Sequence, residues 1–331
     1  MRAISVRSKI IGMFVGVAVG DALGMPAEKL TAAEIKQRFG RITGFVSPRA
    51  DHKWHKHLRK GMWTDDTRLT LATAEGLMLG NGFFMPDIAK AHVAALNAST
   101  SGWGRSTKKA VEHLKKGVSW DRSALTGRGC GEGSGVVMKI GPLAAYLYLN
   151  PPEDDTDKIE MVWDFTRMTH NNGLALSASL AQVAAISHCL GKAGHSFKPS
   201  KYLAAVFDEM RNLVFGTPEE GTAFSDALAA AYCAPPNQLA GALSVVRKSP
   251  FHLLHSVPLS HAVFLHSPTK FDCVLNAIAM GGDTDTNASI VGGLFGALNG
   301  IDAIPPKFIS GLRDHKKVLE VAKRFCKAFV C

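Results

Sequence analysis

The chain has 331 residues, 46% of them hydrophobic and 20% charged, with a formal net charge of +10. That is the composition of an ordinary globular protein with a large buried core. Its six cysteines (Cys130, Cys189, Cys233, Cys273, Cys326 and Cys331) form no CxxC pair, which excludes a disulfide framework and points to reduced thiols in a cytoplasmic protein. The basic residues are dispersed and lack interleaved aromatics, so the charge argues against a dedicated nucleic-acid module and suits a polyanionic small substrate or a modified macromolecule.

The first predicted helix spans 8–22. Gly12, Gly16 and Gly20 recur every four residues along it and mark a close-packing face. Arg2, Arg7 and Lys9 ahead of the apolar run 10–19 imitate a signal peptide, but cleavage would destroy the Gly20-Asp21-Ala22-Leu23-Gly24 segment that ends the run, so no export is expected. No apolar run is read as a membrane span. Gly24 and Pro26 stop the helix and leave Glu28 on a short loop, after which Thr31 caps a helix over 32–39. The stretch 40–61 is irregular and basic. Its three histidines, His52, His55 and His57, lack the spacing of a closed zinc shell and read as a mobile basic loop flanking a cleft.

Thr64 is placed to cap the next helix, with Asp65 and Asp66 in its first turn. Helices are expected over 86–98 and, capped by Ser106, to 116, with a Gly102-Trp103-Gly104 turn between them. The glycine-dense run 127–135 precedes a helical run over 136–149. Its backbone N–H groups form either a phosphate cradle or merely a flexible connection, and it matches neither a P-loop nor a dinucleotide fingerprint. Further helices are expected over 157–168, 174–190, 201–215, 222–233, 238–247, 258–265 and 270–280, with a last amphipathic helix to 329. Between the first two of these, His170 lies in a polar turn, where a histidine is ordinarily structural.

Gly281 and Gly282 then turn the chain into Asp283-Thr284-Asp285-Thr286-Asn287, with Thr286 or Asn287 as helix cap. Ala288, Gly292 and Gly296 form a second small-residue stripe. Taken alone, the two aspartates are either hard oxygen ligands suited to Mg²⁺, Mn²⁺ or Ca²⁺, or simply acidic caps at a helix N-terminus. Joined with the Thr64–Asp66 tip they offer four carboxylates and two hydroxyls, a set better matched to two cations than to one. Alternating β patterns are scarce, no domain boundary is evident, and the two acidic motifs at opposite ends of the chain must meet. The expectation is one all-α domain over 1–331: a compact single-domain helical bundle with a binuclear metal cleft.

In series, Gly20–Glu28, Thr64–Thr67, Gly133–Pro142, Thr169-His170 and Gly281–Thr286 resemble the ADP-ribosylglycohydrolase family, which contains the dinitrogenase reductase-activating glycohydrolase and the ADP-ribosyl-acceptor hydrolases. The resemblance runs from about residue 10 to 306. It implies a two-metal centre, Mg²⁺ or Mn²⁺, held by Thr64, Asp65, Asp66, Asp283, Asp285 and Thr286. It further implies a catalytic glutamate at Glu28 beside Asp65 and Asp66, and ADP-ribose contacts from Gly133, Ser134, Gly135 and His170, with Gly102 and Gly104 as another lining loop. Ser134 stands where the family often has asparagine, and Lys139 where it often has arginine; both bear on ligand affinity and acceptor choice.

The implied reaction cleaves the bond between ribose C1 and an acceptor heteroatom through an oxocarbenium-like transition state. Protein-linked arginine is the first acceptor by analogy; serine, nucleic acid or a small molecule is the alternative. A non-catalytic ADP-ribose-binding or structural protein on the same fold is the reading from another class, and the intact acidic set argues against it.

Overall fold

The computed structural model describes residues 4–192, 194–211, 218–244 and 248–330. Among them there are sixteen α-helices and no β-strand. In chain order they are α1 (Val6–Gly24), α2 (Ala32–Phe39), α3 (Asp65–Leu79), α4 (Met85–Ala98), α5 (Arg105–Lys115), α6 (Gly141–Leu149), α7 (Asp155–Arg167) and α8 (Gly173–Gly191). There follow α9 (Pro199–Arg211), α10 (Pro218–Cys233), α11 (Leu239–Ser244), α12 (Leu253–His266), α13 (Asp272–Ala279), α14 (Thr284–Asn299), α15 (Pro306–Gly311) and α16 (His315–Phe329). The expected helices at 201–215 and 238–247 run at their C-terminal ends into 212–215 and 245–247, outside the described residues.

At the centre lie α1 and α14, packed antiparallel along their two small-residue stripes. Gly12 meets Gly296, Gly16 meets Gly292, Gly20 meets Ala288 and Gly24 meets Thr284. A methyl group on Gly16 would stand 2.0 Å from the Gly292 carbonyl oxygen, well inside contact distance. The stripes thus do more than permit a close neighbour: they are each other's neighbour. Every residue of α14 from Thr284 to Leu298 is buried, and so is every residue of α1 from Lys9 onward. Around this pair α3, α8, α12, α13 and α16 complete the main apolar cluster, in which Phe14, Phe165, Phe264, Phe295 and Phe325 are almost wholly enclosed.

Two helices, Val6–Ala27 with its following turn and Gly173–Gly191, are in fact long and apolar enough to cross a membrane, contrary to the sequence expectation. Their most apolar windows are 94% and 89% buried within the fold, which accounts for the hydropathy as that of core helices.

Several helix starts differ from expectation. The run 136–149 is broken: a 3₁₀ turn over Ser134–Lys139 precedes α6. Pro142 has no N–H for a continuous helix, and the Met138 carbonyl instead shares the Thr70 hydroxyl proton, at 3.2 Å, with the nearer Asp66 carbonyl at 2.8 Å. Gly104, not Ser106, stands at the N-cap of α5; the Ser106 hydroxyl accepts from the Gly131 N–H. The helix expected to open at Pro258 begins at Leu253, with Pro258 inside it. Cys130, Cys189, Cys233, Cys273 and Cys326 are free thiols, as expected; Cys331 lies outside the described residues.

Candidate active site

The glycine stripes bring the C-terminus of α1 against the N-terminus of α14, and both ends face α3. Asp21, in the last turn of α1, is fully buried. It accepts from the Thr64 N–H at 2.9 Å, the Thr64 hydroxyl at 2.8 Å, the Thr67 N–H at 3.0 Å and the Thr67 hydroxyl at 2.6 Å. Thr64 therefore occupies the N-cap position of α3 without capping it: its side chain makes no cap hydrogen bond, and Asp21 from another helix satisfies the free N–H groups. Burial raises the Asp21 pKa, while those donors oppose the rise.

The acidic tip of α14 is built in a different way from the one read in the sequence. Asp283 is the N-cap residue and Asp285 lies in the first turn, so neither Thr286 nor Asn287 caps the helix. The Thr284 hydroxyl donates to the Gly24 carbonyl at 2.8 Å and ties this tip to the end of α1. Asn287 accepts from the Ser256 hydroxyl of α12 at 2.8 Å. The preceding Gly281 and Gly282 have φ of 77° and 79°, a conformation that favours glycine. Their turn pins the loop after α1, since Lys29 N–H donates to the Gly282 carbonyl and Gly282 N–H to the Leu30 carbonyl, each at 2.8 Å. Glu28 is thereby carried over the floor.

Glu28, Asp65, Asp66, Asp283, Asp285 and Thr286 line one cleft of about 1080 Å³, together with Gly102, Gly104, Gly133, Ser134, Gly135 and His170. Of the metal ligands and ligand contacts implied by the sequence, Thr64 alone lies outside the lining, turned to Asp21; Lys139, the departure from the family pattern, lies outside it as well. Gly102, at φ 86°, passes so close to Asp65 that a Cβ would stand 2.3 Å from its Oδ1. A Cβ on Gly135 would lie 2.7 Å from the Thr107 hydroxyl and 3.2 Å from the His170 ring, so only glycine lets those two groups approach. The glycine-dense loop is anchored to the start of α12: Ser134 N–H donates to the Phe251 carbonyl and Leu253 N–H to that of Glu132. The Ser134 hydroxyl donates to Asp283 Oδ2 at 2.9 Å, which engages its proton with the acidic floor.

Burial dominates the electrostatics. It pushes the Glu28 carboxyl up to about 8, with the Lys29 charge opposing, and the Asp283 carboxyl up to about 7, reinforced by Glu28. Burial drives Asp65, Asp66 and Asp285 well above the usual carboxylate range, reinforced first by the charge of Asp21 for Asp65 and Asp66 and by that of Glu28 for Asp285. Asp66 Oδ1 is buried and has no hydrogen-bond partner among the described residues. Carboxylates without enough donors, an orphaned oxygen and a threonine hydroxyl form a hard oxygen set that fits divalent cations of the Mg²⁺ or Mn²⁺ kind.

The histidine loop departs from expectation. Only His57 is exposed; His52 and His55 are buried. His55 Nε2 lies 2.7 Å from Glu28 Oε2, and burial pushes its pKa down to about 4. Glu28, His55 and Asp285 place ligand-type atoms within 4.8 Å of one another. Asp21 and His55 are the residues that reading by motif missed. Asp21 stood in a quoted motif without a role, whereas no spacing signal marks His55, because its partner is 27 positions away and meets it only in the folded chain.

A sequence model of the ADP-ribosylglycohydrolase family matches residues 2–330. The chain is 26% identical to the ADP-ribosyl-[dinitrogen reductase] glycohydrolase of Rhodospirillum rubrum, over 97% of this chain and 95% of that protein. It is 26% identical to an uncharacterized protein of Archaeoglobus fulgidus, over 96% and 95% of the two chains, and 23% identical to the ADP-ribosylhydrolase ARH3 of Danio rerio, over 90% and 84%. A solved structure described as an ADP-ribosylglycohydrolase-related protein complex shares the fold, with a TM-score of 0.74 at 23% identity over 98% of this chain and 99% of that one.

Proposed function

The chain belongs to the ADP-ribosylglycohydrolase family, and on that premise we propose that this glycohydrolase removes ADP-ribose from arginine in a modified protein by hydrolysing the N-glycosidic bond at ribose C1, with residues 1–331 acting as one catalytic unit. The observation that carries the proposal is the convergence of Glu28 and four aspartates at the floor of a glycine-walled cleft.

The residues divide the work as follows. Asp65, Asp66, Asp283, Asp285 and Thr286 would hold two divalent cations, Mg²⁺ or Mn²⁺, with Thr64 contributing only through its hydroxyl oxygen since its proton is given to Asp21. Bound there, the cations supply Lewis acidity and offset the crowded negative charge. The backbone of Gly102, Gly104, Gly133 and Gly135 lets the ligand approach the walls, and His170 faces it from the side. As the C1–N bond breaks, positive charge grows on the ribose ring and the acidic floor stabilises it. The guanidino nitrogen leaves with the bonding pair and takes the proton that the raised pKa of Glu28 keeps on its carboxyl, and as water bonds to C1 Glu28 recovers a proton from it.

A second acceptor class is favoured by one feature. The cleft lining includes Lys53, Arg105, Lys108 and Lys109 against a single outer acid, Glu112, itself paired with Lys109 at 2.8 Å. That bias would suit an anionic acceptor such as nucleic acid or a phosphorylated small molecule better than a cationic peptide.

The test is release of free ADP-ribose from arginine-, serine-, nucleic-acid- and O-acetyl-linked substrates, with Mg²⁺, with Mn²⁺ and with chelator. Cation-dependent release from the arginine linkage is expected. Release only from another linkage moves the acceptor to that class, and release undiminished by chelator overturns the role given to the aspartates.

A further inference from the structure

Beside the cleft, and outside the acidic floor, a buried polar chain runs to His170, and its inner members Lys139 and Thr169 are not used by the proposed chemistry. Lys139 is fully buried, with no carboxylate among its hydrogen-bond or ion-pair partners within the described residues. Its Nζ lies 3.4 Å from His92 Nε2 and 3.2 Å from the Thr169 hydroxyl, over the face of Phe165 at 5.2 Å from the ring centre. The Thr169 hydroxyl in turn lies 2.8 Å from His170 Nδ1. His170 is buried too, lines the cleft, and its Nε2 has no hydrogen-bond partner among the described residues.

The direction of every bond in this chain follows from one backbone carbonyl. His92 Nδ1 lies 2.8 Å from the Ile88 carbonyl oxygen, which can only accept, so Nδ1 carries the proton and Nε2 is bare. Burial keeps His92 neutral, so its Nε2 must accept from Lys139. As an ammonium, Lys139 has only protons to offer, and the Thr169 oxygen accepts another of them. The Thr169 oxygen could accept a second bond, but its own proton, buried with it, has His170 Nδ1 as its one acceptor within reach among the described residues and goes there. Burial drives the His170 pKa down to about 3, so the imidazole is neutral, and with Nδ1 accepting its one proton sits on Nε2.

We propose that Lys139 and Thr169 are positioning residues that fix His170 in its Nε2–H tautomer and so make it a hydrogen-bond donor to an acceptor oxygen of the ligand in the cleft. The ligand half of this statement rests on the reading of the cleft as an ADP-ribose site, where both phosphate and ribose oxygens accept hydrogen bonds. The tautomer half is a property of the free protein. A donor is the useful form: a bare Nε2 would repel a phosphate oxygen, whereas an N–H whose tautomer is set in advance spends nothing on reorganising when the ligand arrives.

The experiment is two-bond ¹H–¹⁵N correlation NMR of histidine-labelled free protein, at a pH between the His170 and Lys139 values, with His170 assigned by its loss in His170→Gln. Burial places the Lys139 pKa at about 7, which leaves room for that window. The expected result is a protonated Nε2 and an Nδ1 shift in the range of a hydrogen-bonded acceptor. In Thr169→Val, Nδ1 should move towards the unbonded range, and in Thr169→Ser it should return. ADP-ribose affinity should fall about five- to tenfold in Thr169→Val and recover in Thr169→Ser. A wild-type signal with the proton on Nδ1 overturns the proposal whatever the variants do, and so does an Nδ1 shift indifferent to Thr169→Val. Correct NMR shifts with no ADP-ribose binding by the wild type would leave the tautomer device standing and sink the reading of the cleft instead.

Discussion

Asp21 and Lys139 are both buried charges, and they are handled in opposite ways. The Asp21 carboxylate receives both N–H groups and both hydroxyls of Thr64 and Thr67, so its charge is shared among donors at the start of α3. Lys139 has only neutral partners, and burial alone brings its pKa from 10.5 to about 7. The unfolded chain therefore binds a proton that the folded chain lacks between these two values. Stability attributable to this residue is lowest below about pH 7, where both states are charged, and rises with pH until about 10.5, where both are neutral. Lys139→Met should remove that rise. Urea unfolding of wild type and variant across this window should show the wild-type stability gaining on the variant by up to about 1.4 kcal/mol per pH unit. In the sequence Lys139 stands out only as a departure from the family pattern, because its partners His92, Thr169 and Phe165 lie in other segments.

At the scale of the element, the helices themselves were largely legible and their ends were less so. Repeating apolar positions and Pro or Gly stops delimit α1, α4, α7 and α8 to within a few residues, since they depend on local chain chemistry. Thr64 stands at the N-cap of α3 as expected, but Asp21 from α1 supplies the hydrogen bonds there, whereas α5 and α14 begin earlier than expected, with Gly104 and Asp283 at their N-caps. The small-residue stripes of α1 and α14 were visible singly; that they pair with each other, antiparallel and in one register, was not. This contact is intolerant of side chains. Gly16→Ala should destabilise the protein by about 3 kcal/mol or more, read as a lowered thermal midpoint, because the nearest obstacle is a backbone carbonyl that cannot rotate away. Gly104→Ala, whose Cβ would meet nothing within 4 Å, is the matching control and should leave the midpoint nearly unchanged.

For the molecule as a whole, the fold concentrates negative charge at one point of a chain whose net charge is +10. Bringing Glu28, Asp65, Asp66, Asp283 and Asp285 together out of water opposes folding, as their raised pKa values record. Divalent cations should then act as stabilisers. With Mg²⁺ or Mn²⁺ at a hundred times its dissociation constant the gain is about 2.7 kcal/mol, so the melting midpoint should rise by about 5 °C and return with chelator. Asp285→Asn should melt higher than wild type without added metal, gain much less from it, and release no ADP-ribose. A midpoint indifferent to both cations in the wild type would count against the cation site independently of any activity assay.

The sequence by itself determined the all-α class, the family and the acidic floor and glycine turns of the cleft, because each of these is written in short motifs whose chemistry is local: two acidic helix tips, a glycine loop and a glutamate after a helix stop. Only the tertiary structure decided how those motifs serve one another. It made Asp21 the cap of α3, drew His55 from a basic loop onto Glu28, and lined up Lys139, Thr169 and His170 behind the cleft. The reason is physical: a buried polar group must find its partner wherever the packed backbone places one, and the α1–α14 contact, set by the absence of side chains, brings together segments some 260 residues apart.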